Sequence, residues 1–147
     1  MTPSRSHLSV AGALLLLTTL ACGSFAPPAS CGDNIGGTAD EAAFAQYFIS
    51  MQLVDEATGV AGPPDSESQA TFGPDETIAI SYSTVGEGSV RACVQERAGG
   101  GGIPLDETFS FVHGEGSFSL GSFPDGTYVV RAILADTLVR NLTFTVR

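Results

Sequence analysis

The chain has 147 residues, sixteen acids against six arginines, no lysine and no tryptophan, for a net charge of −10 at neutral pH. That length suits one domain with a modest core. A nucleic-acid site needs clustered cations, so the composition excludes one, and taken as a whole such a chain repels anionic headgroups.

Residues 1–9 carry Arg5 and His7 but no acid, and residues 10–21 carry no charge. A weakly basic start, an apolar run of about a dozen residues and a small residue before the cut are the parts of a secretory signal. The run falls short of the roughly 20 apolar residues a spanning helix needs. All sixteen acids and five of the six arginines follow it. Its end, Thr18-Thr19-Leu20-Ala21-Cys22, resembles a bacterial lipobox. Leu20 and Ala21 fit that pattern, and Thr19 stands where leucine is commonest. The resemblance implies that residues 1–21 are removed, that the Cys22 thiol takes a diacylglyceryl group and that its new amino group is acylated. The product is a protein lipid-anchored in a bacterial cell envelope. Gly23 occupies the place where an Asp marks inner-membrane retention in some bacteria, which favours the outer membrane. The alternative is an ordinary secretory signal cut near Ala21 or Ala26, with Cys22 incidental.

With Cys22 lipidated, Cys31 and Cys93 remain as an even pair in an oxidising compartment, where disulfides persist. A Cys31–Cys93 bridge closes a loop of about 60 residues, worth roughly 4 kcal/mol in the chain-entropy model. The other reading is two free thiols, with Cys93 buried as a small hydrophobe. Residues 22–45 read as a flexible tether, because Gly, Pro and small residues dominate and no apolar period shows. Within it, Thr38-Ala39-Asp40-Glu41 has the capping-box pattern and predicts a short helix near residues 39–44.

From residue 46 the signals are strands. Tyr47, Ile49, Met51 and Leu53 alternate against Gln46, Phe48, Ser50 and Gln52, placing the first set on one face. A helix over residues 39–53, with Phe44, Phe48 and Met51 on one side, competes with that reading. Residues 55–69 are an acidic, Gly- and Pro-containing loop. Phe72-Gly73-Pro74-Asp75-Glu76 turns the chain into a strand over residues 77–83, with Ile78, Ile80 and Tyr82 facing inward. The next strand, residues 89–97, puts Val90, Ala92 and Val94 inward and Cys93 outward beside Arg91 and Gln95. That placement favours a bridge to a segment lying over the sheet, such as the tether. The glycine run at residues 99–102 lacks the lysine and following helix of a phosphate loop and reads as a mobile hairpin connection. A strand over residues 105–113 carries Phe109 and Phe111 on one face, residues 114–116 turn, and residues 117–123 present Phe118 and Leu120. Pro124-Asp125-Gly126 turns into a strand ending at Ala135. A tight connection at residues 135–137 leads to a last strand with Leu142, Phe144 and Val146 alternating.

Asp125-Gly126-Thr127-Tyr128 before an apolar strand looks like the tyrosine corner of immunoglobulin-like sandwiches, in which the Tyr hydroxyl bonds back to the backbone. Val130 stands where antibody domains place a cysteine, and no Trp is present, so the likeness is not to antibody domains. Residues 72–78 and 126–146 are similar to the immunoglobulin-like folds of bacterial envelope lipoproteins. The resemblance implies an all-β, antiparallel immunoglobulin-like sandwich of about seven strands over residues 46–147, with Tyr128 as its structural corner.

Little in this sequence resembles catalytic machinery. The one histidine after residue 21, His113, sits beside a Gly-Glu-Gly turn, with Ser110, Glu115 and Ser117 near but no nucleophile motif. Zinc needs several His or Cys ligands. The acid pairs Asp40-Glu41, Asp55-Glu56, Asp75-Glu76 and Asp106-Glu107 fall mostly in loops, where solvation is the ordinary reason for them. Asp33-Asn34 and the loop of residues 65–76 offer oxygens to Ca²⁺ without EF-hand spacing. Carbohydrate binding usually exploits exposed aromatic faces, and Tyr47 and Tyr82 are both expected inward. The expectation is a non-enzymatic module, without metal or cofactor, that binds or scaffolds another envelope protein. A Ca²⁺-binding module using acidic loops is the alternative, and a small hydrolase built on His113 the third reading.

Overall fold

The computed structural model describes residues 31–32, 37–65, 67, 69–97 and 101–147. The expected signal at residues 1–21, Cys22, the first part of the expected tether, Asp33-Asn34 and two of the four glycines at residues 99–102 lie outside the described residues. One short helix, α1 (Glu41–Ala45), precedes eight strands: β1 (Phe48–Asp55), β2 (Ala70–Phe72), β3 (Ile78–Thr84), β4 (Gly88–Glu96), β5 (Leu105–Phe111), β6 (Gly114–Gly121), β7 (Gly126–Leu134) and β8 (Thr137–Val146).

The strands form two sheets, β1-β3-β6 and β2-β8-β7-β4-β5. With β1 as strand A, β2 as A′ and β3 to β8 as B, C, C′, E, F and G, these are the two sheets of an immunoglobulin-like sandwich. All pairings are antiparallel except β2 with β8, which run parallel over Ala70↔Phe144 to Phe72↔Val146. The count is therefore eight rather than about seven, and the sandwich is mixed at one edge. β2 has only three residues, too few for alternation to announce it between the loop assigned to residues 55–69 and the turn beginning at Phe72.

The core is the set of inward residues that strand alternation picks out. Ile78, Ile80 and Tyr82 of β3 face Val90, Ala92 and Val94 of β4, with Phe111, Phe118, Leu120, Val130 and Phe144 closing the layer. The rings of Phe109 and Phe118 stack at 4.3 Å between centroids and bridge the two sheets where β5 and β6 form their edges. Gly116, read as part of a turn, lies inside β6, which begins at Gly114. A Cβ at Gly116 would meet the Tyr82 hydroxyl at 2.5 Å, so the glycine there makes room for a ring rather than a bend. The turn falls instead at Val112 and His113.

Two local expectations are corrected. The helix is capped by Asp40, whose side chain accepts from the Ala43 N–H at 2.9 Å, and not by Thr38. Asp is as good an N-cap acceptor as Thr, and the cap two residues later keeps Phe44 pointed into the core. In β1 the register with β3 shifts between Phe48 and Ser50. A bulge adds one residue to one strand and reverses which face later residues take. Phe48, Met51 and Leu53 are therefore buried while Tyr47 and Ile49 face outward.

Candidate functional site

Three features lie outside the core: the N-terminal clamp, the loop end of the sandwich and the acidic loops.

Cys31 and Cys93 form a disulfide with an S–S length of 2.02 Å and a Cα–Cα distance of 5.8 Å. Cys93 is outward on β4, as its parity requires. Both cysteines are buried in a small second cluster with Ile133 and Leu138, against which Ala39 and Ile103 pack. Arg91 Nη1 donates to the Cys31 carbonyl at 3.2 Å, while its Nε and Nη2 hold both oxygens of Asp106 at 2.6 and 2.7 Å. The Arg91 hydrogen bonds hold the Asp106 carboxyl below the usual carboxylate range, against the opposing effect of burial. Residues 37–40 are also tied to the five-stranded sheet. The Gly37 carbonyl accepts from the Asn141 side chain at 3.4 Å, and the Asp40 N–H donates to the Leu138 carbonyl at 2.8 Å. Arg140 finally ties the helix down, stacking 3.8 Å over the Phe44 ring and pairing with Glu41 at 3.1 Å.

The loop end is defined by register. Gly88 pairs with Phe111, Phe48 and Gly114 both pair with Thr84, and Ile133 pairs with Leu138. The start of β1, the β3–β4 turn at residues 85–87, the β5–β6 turn at 112–113 and the β7–β8 turn at 135–136 therefore share one end. Antibody variable domains carry binding loops at the corresponding end. Four large apolar residues stand exposed here: Tyr47 at 38%, Ile49 at 66%, Val85 at 51% and Val112 at 68%. Their backbones are fixed to one another. The Val85 N–H donates to the Tyr47 carbonyl at 2.9 Å. The buried Thr84 hydroxyl donates to the Val112 carbonyl at 2.6 Å and lies 3.1 Å from that of Gly114. The Tyr47 ring meets Phe111 edge-on at 6.2 Å. Glu87 lies in the β3–β4 turn, Glu115 pairs with Ser83, and Asp136 lies in the β7–β8 turn, so the same end carries three acids.

At the opposite end, the acids serve their own turns. Asp55 accepts from the Thr58 hydroxyl at 2.6 Å and the Ala57 N–H at 3.2 Å; the Thr58 bond lowers its pKa most. Asp65 accepts from the Glu67 and Gln69 N–H groups at 2.8 and 3.0 Å, and Glu76 from the Gly73 N–H. These are Asx-type closures of loops. Among the described residues, no group of three His, Cys, Asp or Glu side chains is placed to hold a metal ion. His113 is exposed in its turn, with Ser110, Glu115 and Ser117 on exposed positions of the flanking strands. Tyr128 donates its hydroxyl to the Pro124 carbonyl at 2.9 Å, which is the tyrosine-corner bond. Burial, then Glu96 and Asp125, raise its pKa.

Of the residues singled out from sequence, the fold joins Cys31 to Cys93 and places Tyr128 at its corner. It separates Tyr47 from Tyr82, which is buried as expected. The apolar loop end went unseen because it depends on the β1 bulge and on three turns distant in sequence.

No family model matches this chain, and no characterised protein matches its sequence. Among solved structures, the β-glucosidase from Listeria innocua in complex with gluconolactone aligns with a TM-score of 0.37 and 10% identity. The alignment covers 66% of this chain and 16% of that one. A likeness that low bears on neither fold nor chemistry here.

Proposed function

We propose that this chain is a lipid-anchored, non-enzymatic immunoglobulin-like module of a bacterial cell envelope that binds or scaffolds another envelope protein. The observation that carries the binding role is the cluster of Tyr47, Ile49, Val85 and Val112, exposed together at the loop end. An apolar group at an end that carries three acids suits a protein surface with an apolar centre and basic groups beside it. The lipobox-like residues at Cys22 support the anchor, and the outer membrane is the favoured site.

The intact mass of the native chain tests the anchor: the expected species begins at an acylated Cys22. Crosslinking in native envelopes tests the binding role. The native chain is expected to capture a defined protein that an Ile49→Asp/Val112→Asp variant, still folded, no longer captures. Equal capture by both would remove the loop end from the function.

A further inference from the structure

After residue 21 every cation of this acidic chain is an arginine: Arg91, Arg97, Arg131, Arg140 and Arg147. All five lie on or at the ends of β4, β7 and β8, in the five-stranded sheet. β1, β3 and β6 carry none. The two sheets therefore present electrostatically different faces, although the net charge of the whole chain is −10.

Alternation places four of the five on the outer face, Arg140 being the exception because it pairs with the inward Ala132. Arg91 and Cys93 share it on β4, and Cys93 pairs with Arg131 of β7, which in turn pairs with Asn141 of β8. Two residues further along, Gln95 and Thr143 both pair with Val129, and Arg97 then leaves β4 with its N–H bonded to the Thr127 carbonyl at 2.8 Å. Arg97, Arg131, Asn141 and Thr143 surround a shallow pocket of about 280 Å³, with Val129 as its floor and Gly37 on its rim. Arg147, exposed, follows the inward Val146. The acid beside Arg91 on this face is engaged, with both oxygens of Asp106 held by Arg91. Arg131 has a contact of its own within the fold, but a guanidinium carries five donors and serves more than one acceptor. Among the described residues no ion pair engages Arg97 or Arg147.

We infer that this pocket binds phosphate, and that its source is the phosphodiester headgroup of an anionic lipid. Guanidinium forks match phosphate oxygens, and the Thr143 hydroxyl and Asn141 amide add neutral donors beside them. The source follows from the clamp. The Cys31–Cys93 bond and the Gly37–Asn141 contact hold Cys31 and Gly37 against this same face. An N-terminal lipid thus brings the arginine face to the membrane and leaves the acidic remainder outward. The choice of lipid as source rests on the anchored reading; the phosphate chemistry does not.

The test uses the chain from residue 22 onward with Cys22→Ser, so that neither an acyl group nor the apolar run of residues 10–21 contributes. Its binding is measured to vesicles of phosphatidylcholine and of phosphatidylcholine mixed with phosphatidylglycerol, and to inorganic phosphate. The expected result is preference for the mixed vesicles, loss of that preference at high salt, and binding on the order of tenfold weaker for Arg97→Glu. Arg147→Glu is the second variant, and thermal melts confirm that both remain folded. Equal binding to the two vesicle types would overturn the proposal, as would folded variants that bind like the parent. Binding of inorganic phosphate without vesicle binding would overturn the lipid as source. Because the intact mass of the native chain reports the anchor separately, failure of the anchor and failure of this face are distinguishable.

Discussion

Tyr128 shows how one side chain sets a turn. Its ring stacks on Phe144 at 5.1 Å and lies 5.3 Å from Phe123, so packing fixes the ring before the hydroxyl finds the Pro124 carbonyl. Gly126 is part of the same device, since a Cβ there would stand 3.1 Å from that hydroxyl. Tyr128→Phe keeps the ring and deletes the bond. It should cost about 1 kcal/mol, the net worth of one hydrogen bond plus the unpaired carbonyl it leaves. Denaturant unfolding should show a lower midpoint at unchanged slope, and an unchanged midpoint would mean that packing alone holds the corner. This residue was legible because its partners are local: Asp125, Gly126 and the apolar strand are adjacent in the sequence. Tyr47 and Ile49 were not, because their facing is decided by one inserted residue in the β1–β3 register. Alternation can be read from a sequence, but a bulge that reverses it leaves no mark in the residue types.

At the scale of elements, the disulfide joins Cys31, which precedes α1 in the chain, to the middle of β4. It spans 62 residues, and in the chain-entropy model a loop of that size contributes about 4 kcal/mol. A Cys31→Ser/Cys93→Ser variant should therefore lose roughly that stability, as should the native chain under reductant, since both thiols sit buried with Ile133 and Leu138. Chemical denaturation of the oxidised and reduced protein measures it, and a difference below about 1 kcal/mol would place the constraint in the Arg91, Asn141 and Asp40 contacts instead. The pairing was legible from the even pair that Cys31 and Cys93 make beside Cys22 and from the clean period of β4: Val90, Ala92 and Val94 fix Cys93 as outward, which favours a partner lying over the sheet. β2 was illegible for the opposite reason, having three residues and borrowing its stability from β8. The β7–β8 turn was legible only as a tight connection. Its Ala135 and Asp136 both take positive φ, 44° and 64°, the backbone of a two-residue hairpin turn that usually selects Asn-Gly.

At the scale of the molecule, no local pattern specifies which strands share a sheet. β1 and β2 are separated by a loop and lie in different sheets, and only the fold shows that three turns meet at one end. The same architecture starts the clamp at Cys93 on the outer face of the five-stranded sheet and ends it at Leu138 and Arg140, beside the loop end, which makes their geometry relative to the membrane of the proposed anchor a measurable quantity. Nine residues link Cys22 to Cys31, a reach of at most about 30 Å; without the bridge the next backbone bond to the sheet is at Asp40, and the reach doubles to about 60 Å. For the acylated chain in a supported bilayer, a dye at Ser117→Cys on the three-stranded sheet should move away from a lipid-bound acceptor when the disulfide is reduced. Energy transfer reports that distance. The measurement belongs at high salt, where contacts between the arginine face and headgroups are screened and only the leash sets the height. A distance unchanged by reduction under those conditions would show that the segment beyond Cys31 stays docked through its Asn141 and Leu138 contacts. The disulfide would then act on stability alone, and the presentation of the loop end would be set by the sheet face and not by the bond.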